Sequence, residues 1–204
     1  MRKDMASLFC AAKRGKSRNA RLFPRSAAQK SRACPHDCGL SIRDIKVEAV
    51  KLNTELLKKA EEIVNKSTMY ALGNILPDKT GWEADWVMAL TDEEGFPSAS
   101  MITASKADGF KWISFCTGLG GHKVNRVKKD PRACIYLFDN KSFTGISLAG
   151  RIEIIVDVEV KKQMWYDALG NHFHGPDDSA LCILMFTPKK YNIFINNQTL
   201  YGAF

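Results

Sequence analysis

Ile113-Ser114-Phe115-Cys116-Thr117-Gly118-Leu119-Gly120-Gly121-His122-Lys123 begins as a strand and ends as a helix. Its aromatic and β-branched residues suit a pleated surface. After the glycines, Val124 and Val127 give His122–Lys129 a helical stripe, and Asp130-Pro131 stops it. The N–H groups at such a helix start lack intrahelical partners and carry partial positive charge, so an anion can dock there. Glycines let a ligand approach the backbone closely. Thr117 adds a hydroxyl, His122 an imidazole, and Lys123 a cation inside the first turn. These are the parts of a phosphate cradle, although the G-x-x-x-x-G-K-[ST] spacing of a P-loop is missing. The plainer reading is a strand-to-helix turn with a solvated Lys123.

The flanks read as strands. Trp86–Leu90 precedes the turn cluster Thr91–Gly95, Ser98–Ser105 alternates small polar with apolar residues, and Lys106–Gly109 turns again before Phe110–Cys116. Short turns between these three strands predict an antiparallel meander. Downstream, Ala133–Phe138 and Ile146–Val156 read as strands, with a bulge expected at Gly150. Val160–Leu169 reads as a helix and Asn171–Asp178 as a polar loop. Leu181–Phe186 and Tyr191–Ile195 read as the last strand or strands, broken at Pro188. The pattern predicts a mainly β fold, a closed antiparallel barrel of six or seven strands decorated by helices.

Upstream, Ile42, Ile45, Ala49, Leu52, Leu56, Ala60 and Ile63 recur at helical steps over residues 42–66, with Ser41 as the expected N-cap. Residues 67–84 read as a connection with one short strand. The expected organisation is a leader over 1–40, a helix and connection over 41–84, and the barrel over 85–204.

The 204-residue chain has a formal net charge of +8. The whole excess lies in residues 1–40, which hold ten basic and two acidic side chains; the rest balances 20 against 20. This Ala- and Ser-rich, Arg-rich stretch reads as a disordered leader, a transit-like peptide, or a basic arm for nucleic acid. The charge therefore does not argue that the barrel binds nucleic acid. No apolar run approaches the ~20 residues of a membrane-spanning helix.

Cys116, Cys134 and Cys182 sit in apolar runs and read as reduced core residues, which predicts a cytoplasmic protein. Cys34-Pro35-His36-Asp37-Cys38 resembles half a zinc site; Cys10 is a remote third ligand and no second Cys/His pair stands at the needed spacing, so no metal is expected. His172 and His174 read as a polar loop more readily than as metal ligands. Asp177-Asp178 reads as a turn, and Trp82, Trp86 and Trp112 as core or interface residues.

Taken in order, several further segments carry a likeness. They are Glu94-Gly95-Phe96-Pro97 leading into Ser98–Thr103, aromatic Phe115 with Thr117 and Lys123, and Asp130-Pro131-Arg132. Gly150 before acidic Glu153, and Gly175-Pro176-Asp177-Asp178 before Leu181–Phe186, complete the set. Over about residues 85–196 the chain resembles the pyridoxamine 5′-phosphate oxidase-like family of FMN-binding split barrels, especially its general stress protein branch.

The resemblance implies a homodimer with FMN at the subunit interface. The phosphate would lie near Thr117, Gly118, His122 and Lys123, beside Cys116. Ser100, Met101, Ile102 and Thr103 would run along the isoalloxazine, and Ser105 falls where the oxidase branch carries a lysine. The family often has arginine at the position of Ser100 and arginine or serine near Gly121 and His122. Losing a bidentate contact leaves deazaflavin or haem as alternatives to FMN. The longer branch ends in an Arg- and Trp-bearing substrate segment, whereas this chain ends soon after Asn192–Ile195, so true pyridoxamine phosphate oxidase activity is not expected. The implied function is flavin-dependent oxidation or reduction of a small molecule, with a nicotinamide as possible electron donor and no catalytic side chain assigned. The alternative is a noncatalytic flavin- or haem-binding stress or redox protein.

Overall fold

The structure, a computed structural model, describes residues 42–69, 86–139 and 142–204. The leader, Cys10, the Cys34–Cys38 motif, Ser41, Trp82 and the short strand expected before residue 85 lie outside the described residues.

Among the described residues the fold is mostly β, an eight-stranded antiparallel sheet with three helices. The strands are β1 (Trp86–Thr91), β2 (Pro97–Met101), β3 (Ala104–Asp108), β4 (Trp112–Gly118), β5 (Arg132–Asp139), β6 (Thr144–Ile155), β7 (Leu181–Ile195) and β8 (Gln198–Ala203). The helices are α1 (Ile42–Lys66), α2 (His122–Lys129) and α3 (Val158–Met164), and a 3-10 turn follows over Asp167–Asn171. The hydrogen-bonded order is β2-β1-β5-β6-β7-β4-β3, with β8 also on β7.

This order corrects the expected meander. Ser98–Ser105 is two strands, and β2 and β3 do not pair; they stand at opposite ends of the order. The chain leaves regular structure at Ile102-Thr103, where the Ile102 N–H turns to the Trp86 carbonyl at 3.1 Å. That irregular pair carries the chain from one end of the sheet to the other. The sheet curls into a split barrel, but its hydrogen bonding is not closed.

Two more differences have physical causes. β7 runs unbroken through Pro188, because the missing N–H falls opposite the register shift between Ala149 and Gly150 of β6. β8 is the additional strand. Asn196 and Asn197 both have positive φ, 53° and 61°, which makes a two-residue hairpin turn of the primed kind that suits strand twist.

The barrel core gathers Trp86, Met88, Ile113, Phe115, Ile135, Ile146, Leu148, Leu184, Phe186 and Ile193. Trp86 meets Phe115 edge-to-face at 6.0 Å, and its Nε1 donates to the Ser67 carbonyl at 2.8 Å. The C-terminal half of α1 docks. Leu56, Ala60 and Val64 join the core, whereas Leu52 is 43% exposed, so the expected burial of Leu52 is corrected. Burial of side chains such as Leu56 contributes about 1.5–3 kcal/mol each.

The helix expected over 160–169 ends at Met164, before Trp165 and Tyr166, and resumes as the 3-10 turn. Met69, Tyr166 and Leu169 form a second, small apolar cluster that includes half-buried Cys116, Trp165 and Phe173.

Candidate functional site

Alternation along β4 sorts its residues between two environments. Ile113 and Phe115 enter the barrel core, and Thr117 follows them on that face. Ser114 and Cys116 face the other way, toward α3. There the Met164 carbonyl accepts from the Ser105 hydroxyl and from the Cys116 thiol, the latter at 3.5 Å. The Ser114 hydroxyl donates to Met164 Sδ at 3.2 Å. Ser105 is 1% exposed. Burial pushes the Cys116 thiol up to about 12. Ser105 and Cys116 thus belong to a seam behind β4, on the face opposite Thr117.

Thr117, Gly118, His122 and Lys123 come together where β4 passes into α2. The Gly118 carbonyl accepts the Gly121 N–H at 3.0 Å, closing the glycine turn. Gly121 caps α2 in an extended conformation with no side-chain cap bond, and the first turn has no acidic residue. The helix start therefore keeps outward N–H donors and an uncompensated positive end. His122 is exposed, while Thr117 and Lys123 are half-buried. A Cβ on Gly120 would meet nothing within 4 Å, so the loop has open space before it.

Ser100 and Met101 lie on β2. Met101 is 63% exposed and Ile102 is 9% exposed. Ser98 shares the face of Ser100 and accepts from Arg126 Nη1 of α2 at 2.8 Å, so the cradle helix and the edge strand are neighbours. Being last in the sheet order, β2 and β3 each pair with a single strand among the described residues, and the Ala104 carbonyl of β3 also accepts the Met69 N–H at 2.9 Å.

Arg126 is the site residue that motif spacing missed. It stands three residues after Lys123 and four after His122, on the same side of α2. Its guanidinium also reaches Glu93 at 3.5 Å, which lowers the Glu93 carboxyl, though less than that carboxyl's own backbone hydrogen bond does. The i+3 and i+4 spacing was the available signal.

The polar loop over Asn171–Asp178 borders the glycine turn. The Leu119 N–H donates to the Ala180 carbonyl at 2.7 Å. Asp178 accepts from the His174 and Ala180 N–H groups at 2.9 and 2.8 Å, and these bonds hold its carboxyl below the usual range. Buried Lys161 of α3 donates to the Asp178 carbonyl at 2.8 Å. His172 and His174 are exposed. Among the described residues no cluster of three or more His, Cys, Asp or Glu could hold a metal, and no described helix is long and apolar enough to cross a membrane.

The donor set fits a phosphate monoester: backbone N–H groups, the Thr117 hydroxyl, and the Lys123 and His122 side chains at an uncapped helix start. The β2 edge, unpaired among the described residues, fits a flat heterocycle with hydrogen-bonding edges. FMN joins both parts in one molecule.

The family model described as pyridoxamine 5′-phosphate oxidase matches residues 86–193. Among solved structures, a protein from Clostridium acetobutylicum related to general stress protein 26 of Bacillus subtilis, of the pyridoxinephosphate oxidase family, is 28% identical. It covers 58% of this chain and 85% of its own, with TM-score 0.53. General stress protein 26 from Bacillus anthracis is 15% identical, covering 58% of this chain and 88% of its own at TM-score 0.51. A pyridoxamine 5′-phosphate oxidase-related, FMN-binding protein from Nostoc punctiforme is 13% identical, covering 62% and 90% at TM-score 0.50. At those identities the last two are alike in fold alone. No protein of curated function matches the chain.

Proposed function

Because this chain belongs to the pyridoxamine 5′-phosphate oxidase family, we propose that it binds FMN and acts as a flavin-dependent oxidoreductase on a small molecule. The observation that carries this reading is the uncapped N-terminus of α2 directly after Thr117 and the glycine turn. Lys123 and His122 neutralise the phosphate charge, Thr117 donates to a phosphate oxygen, and the α2 amides complete the shell. The β2 edge at Ser100–Met101 and the irregular Ile102-Thr103 step meet the ring through backbone groups. Bound flavin supplies hydride and electron transfer, so the chain's residues need only bind, orient and shield it. A nicotinamide is the electron donor in this reading.

A homodimer with the cofactor at the interface belongs to the same proposal. Its support is the exposed β2 edge, where Met101 is 63% and the neighbouring Phe96 61% exposed.

The deciding experiment is the absorption spectrum of the purified full chain and the mass of the ligand it releases. A flavin spectrum and the mass of FMN are expected. A colourless protein that takes up no added FMN sinks the proposal, and a Soret band would assign haem instead. Thr117→Ala with Lys123→Ala should weaken FMN at least about tenfold, the worth of one or two charge-assisted hydrogen bonds. Unchanged affinity would place the phosphate elsewhere.

A further inference from the structure

Lys161 is 3% exposed although it sits on a short surface helix. Its ammonium donates to the Asp178 carbonyl oxygen at 2.8 Å. The same oxygen accepts the Leu181 N–H at 3.1 Å, at the start of β7. The Asp178 carboxylate gathers the His174 and Ala180 amides, and the Asp178 N–H donates to the Gly175 carbonyl at 3.1 Å. These bonds fix the Ala180 carbonyl, and that carbonyl accepts the Leu119 N–H at 2.7 Å. Leu119 lies in the middle of the glycine turn. A chain of hydrogen bonds thus runs from α3 through one aspartate to the turn preceding the α2 amides.

Glycines leave that turn few side-chain contacts of its own. A Cβ added at Gly120 would meet nothing within 4 Å, and one at Gly121 only the Gly118 carbonyl oxygen. The Leu119–Ala180 bond therefore restrains the turn from outside, beside the Gly118–Leu181 end of the β4–β7 ladder and the packing of Leu119 against the core. A buried ammonium is costly unless it has a partner. Lys161 meets that condition through Asp178 and holds α3 to the loop.

We propose that Asp178, anchored by Lys161, is a positioning residue for the glycine turn: it holds Leu119 so that the α2 amides face the ligand's phosphate. The proposal rests on the FMN reading for its ligand but not for its geometry. Asp178 and Lys161 touch no part of the phosphate. They act through the Ala180 carbonyl, and their effect is specific to the phosphate end of the ligand.

The test titrates FMN and riboflavin, which lacks the phosphate, into the full-length apoprotein and its variants. Asp178→Ala should weaken FMN about tenfold, the worth of one well-made hydrogen bond, and leave riboflavin unchanged. Asp178→Asn keeps one acceptor oxygen and should recover part of the loss, while Lys161→Met should give a smaller loss of the same selectivity. If both ligands weaken together, or neither weakens, the positioning role is overturned. A wild-type protein with no preference for FMN over riboflavin overturns the phosphate cradle instead. Amide exchange at Leu119 reads the restraint without any ligand. It should be faster in Asp178→Asn than in wild type, and equal rates overturn the proposal whatever the ligand. The asparagine and methionine variants keep the test open if Asp178→Ala does not fold.

Discussion

Arg126 Nη1 donates to Ser98 Oγ at 2.8 Å, tying the helix that carries the phosphate cradle to the edge strand proposed to run along the flavin ring. The Arg126 side chain is 22% exposed, and its Nε is buried without a partner among the described residues. Ser98→Ala removes the guanidinium's best contact. The expected cost is about 1 kcal/mol of stability, measured by urea unfolding. Arg126→Met should in addition weaken FMN by about threefold to tenfold at low salt, because a cation one turn from Lys123 is lost. That loss should shrink as ionic strength rises. A salt-independent loss would mean that Arg126 acts through packing alone.

Elements such as α2 and β5 were legible in the sequence because each has one wet and one dry face, whereas Leu181–Leu184 of β7, buried on both, shows as a continuous apolar run. The α2 boundaries follow from Val124, Val127 and the Asp130-Pro131 stop, and the β6 bulge from Gly150. The split at Ile102-Thr103 was not legible. Ser98–Ser105 alternates except at the adjacent apolar pair Met101-Ile102, and what divides it is its change of partner strand, from β1 before the step to β4 after it. β8 was missed because Leu200 is its single buried side chain, and one apolar position between exposed Gln198, Thr199 and Tyr201 sets no period. The same limit hid the site's tertiary parts. Thr117, His122 and Lys123 are adjacent in sequence, whereas Arg126 acts through Ser98, and Asp178 through Ala180 and Leu119.

The buried thiols give a prediction with a definite sign. Burial pushes Cys116 up to about 12 and Cys182 up to about 11. At pH 8 the thiolate fraction of Cys116 is then about one in ten thousand, too small for ready alkylation. Peptide mapping after iodoacetamide treatment of the native protein should find both cysteines unmodified, and both modified after denaturation. Stability should also fall as pH rises above about 9, the ordinary thiol value. Above that point the unfolded chain releases protons that the folded chain retains. A flat stability profile between pH 9 and about 11 would show that these thiols are not held neutral.

Gly150 stands where the β6–β7 register shifts opposite Pro188. A Cβ there would lie 2.1 Å from the Thr187 carbonyl oxygen and 2.9 Å from the Phe186 ring. The first obstacle is backbone and cannot rotate away. Gly150→Ala should therefore cost about 3 kcal/mol or more, at the severe end for a single substitution. A thermal melt within a few degrees of wild type would mean that the sheet shifts here freely.

Gly109 closes the β3–β4 turn and joins it to α1. Its N–H donates to Asn65 Oδ1 at 2.7 Å, and its φ is +53°. A Cβ at this position would lie 1.9 Å from Glu61 Oε1 and 2.4 Å from Glu61 Cγ. Gly109→Ala thus meets two separable penalties: a left-handed backbone costing about 1–2 kcal/mol for an L-residue, and a collision with Glu61. Glu61→Ala should cost little by itself, since its carboxylate makes no hydrogen bond or ion pair among the described residues. In the double variant the collision is gone and only the backbone penalty remains. The cycle should therefore show a favourable coupling of about 1 kcal/mol or more between the two substitutions. Additive effects would mean that Glu61 swings aside at no cost, leaving the Asn65 bond and the Leu56–Ala60–Val64 packing to hold α1 on the barrel.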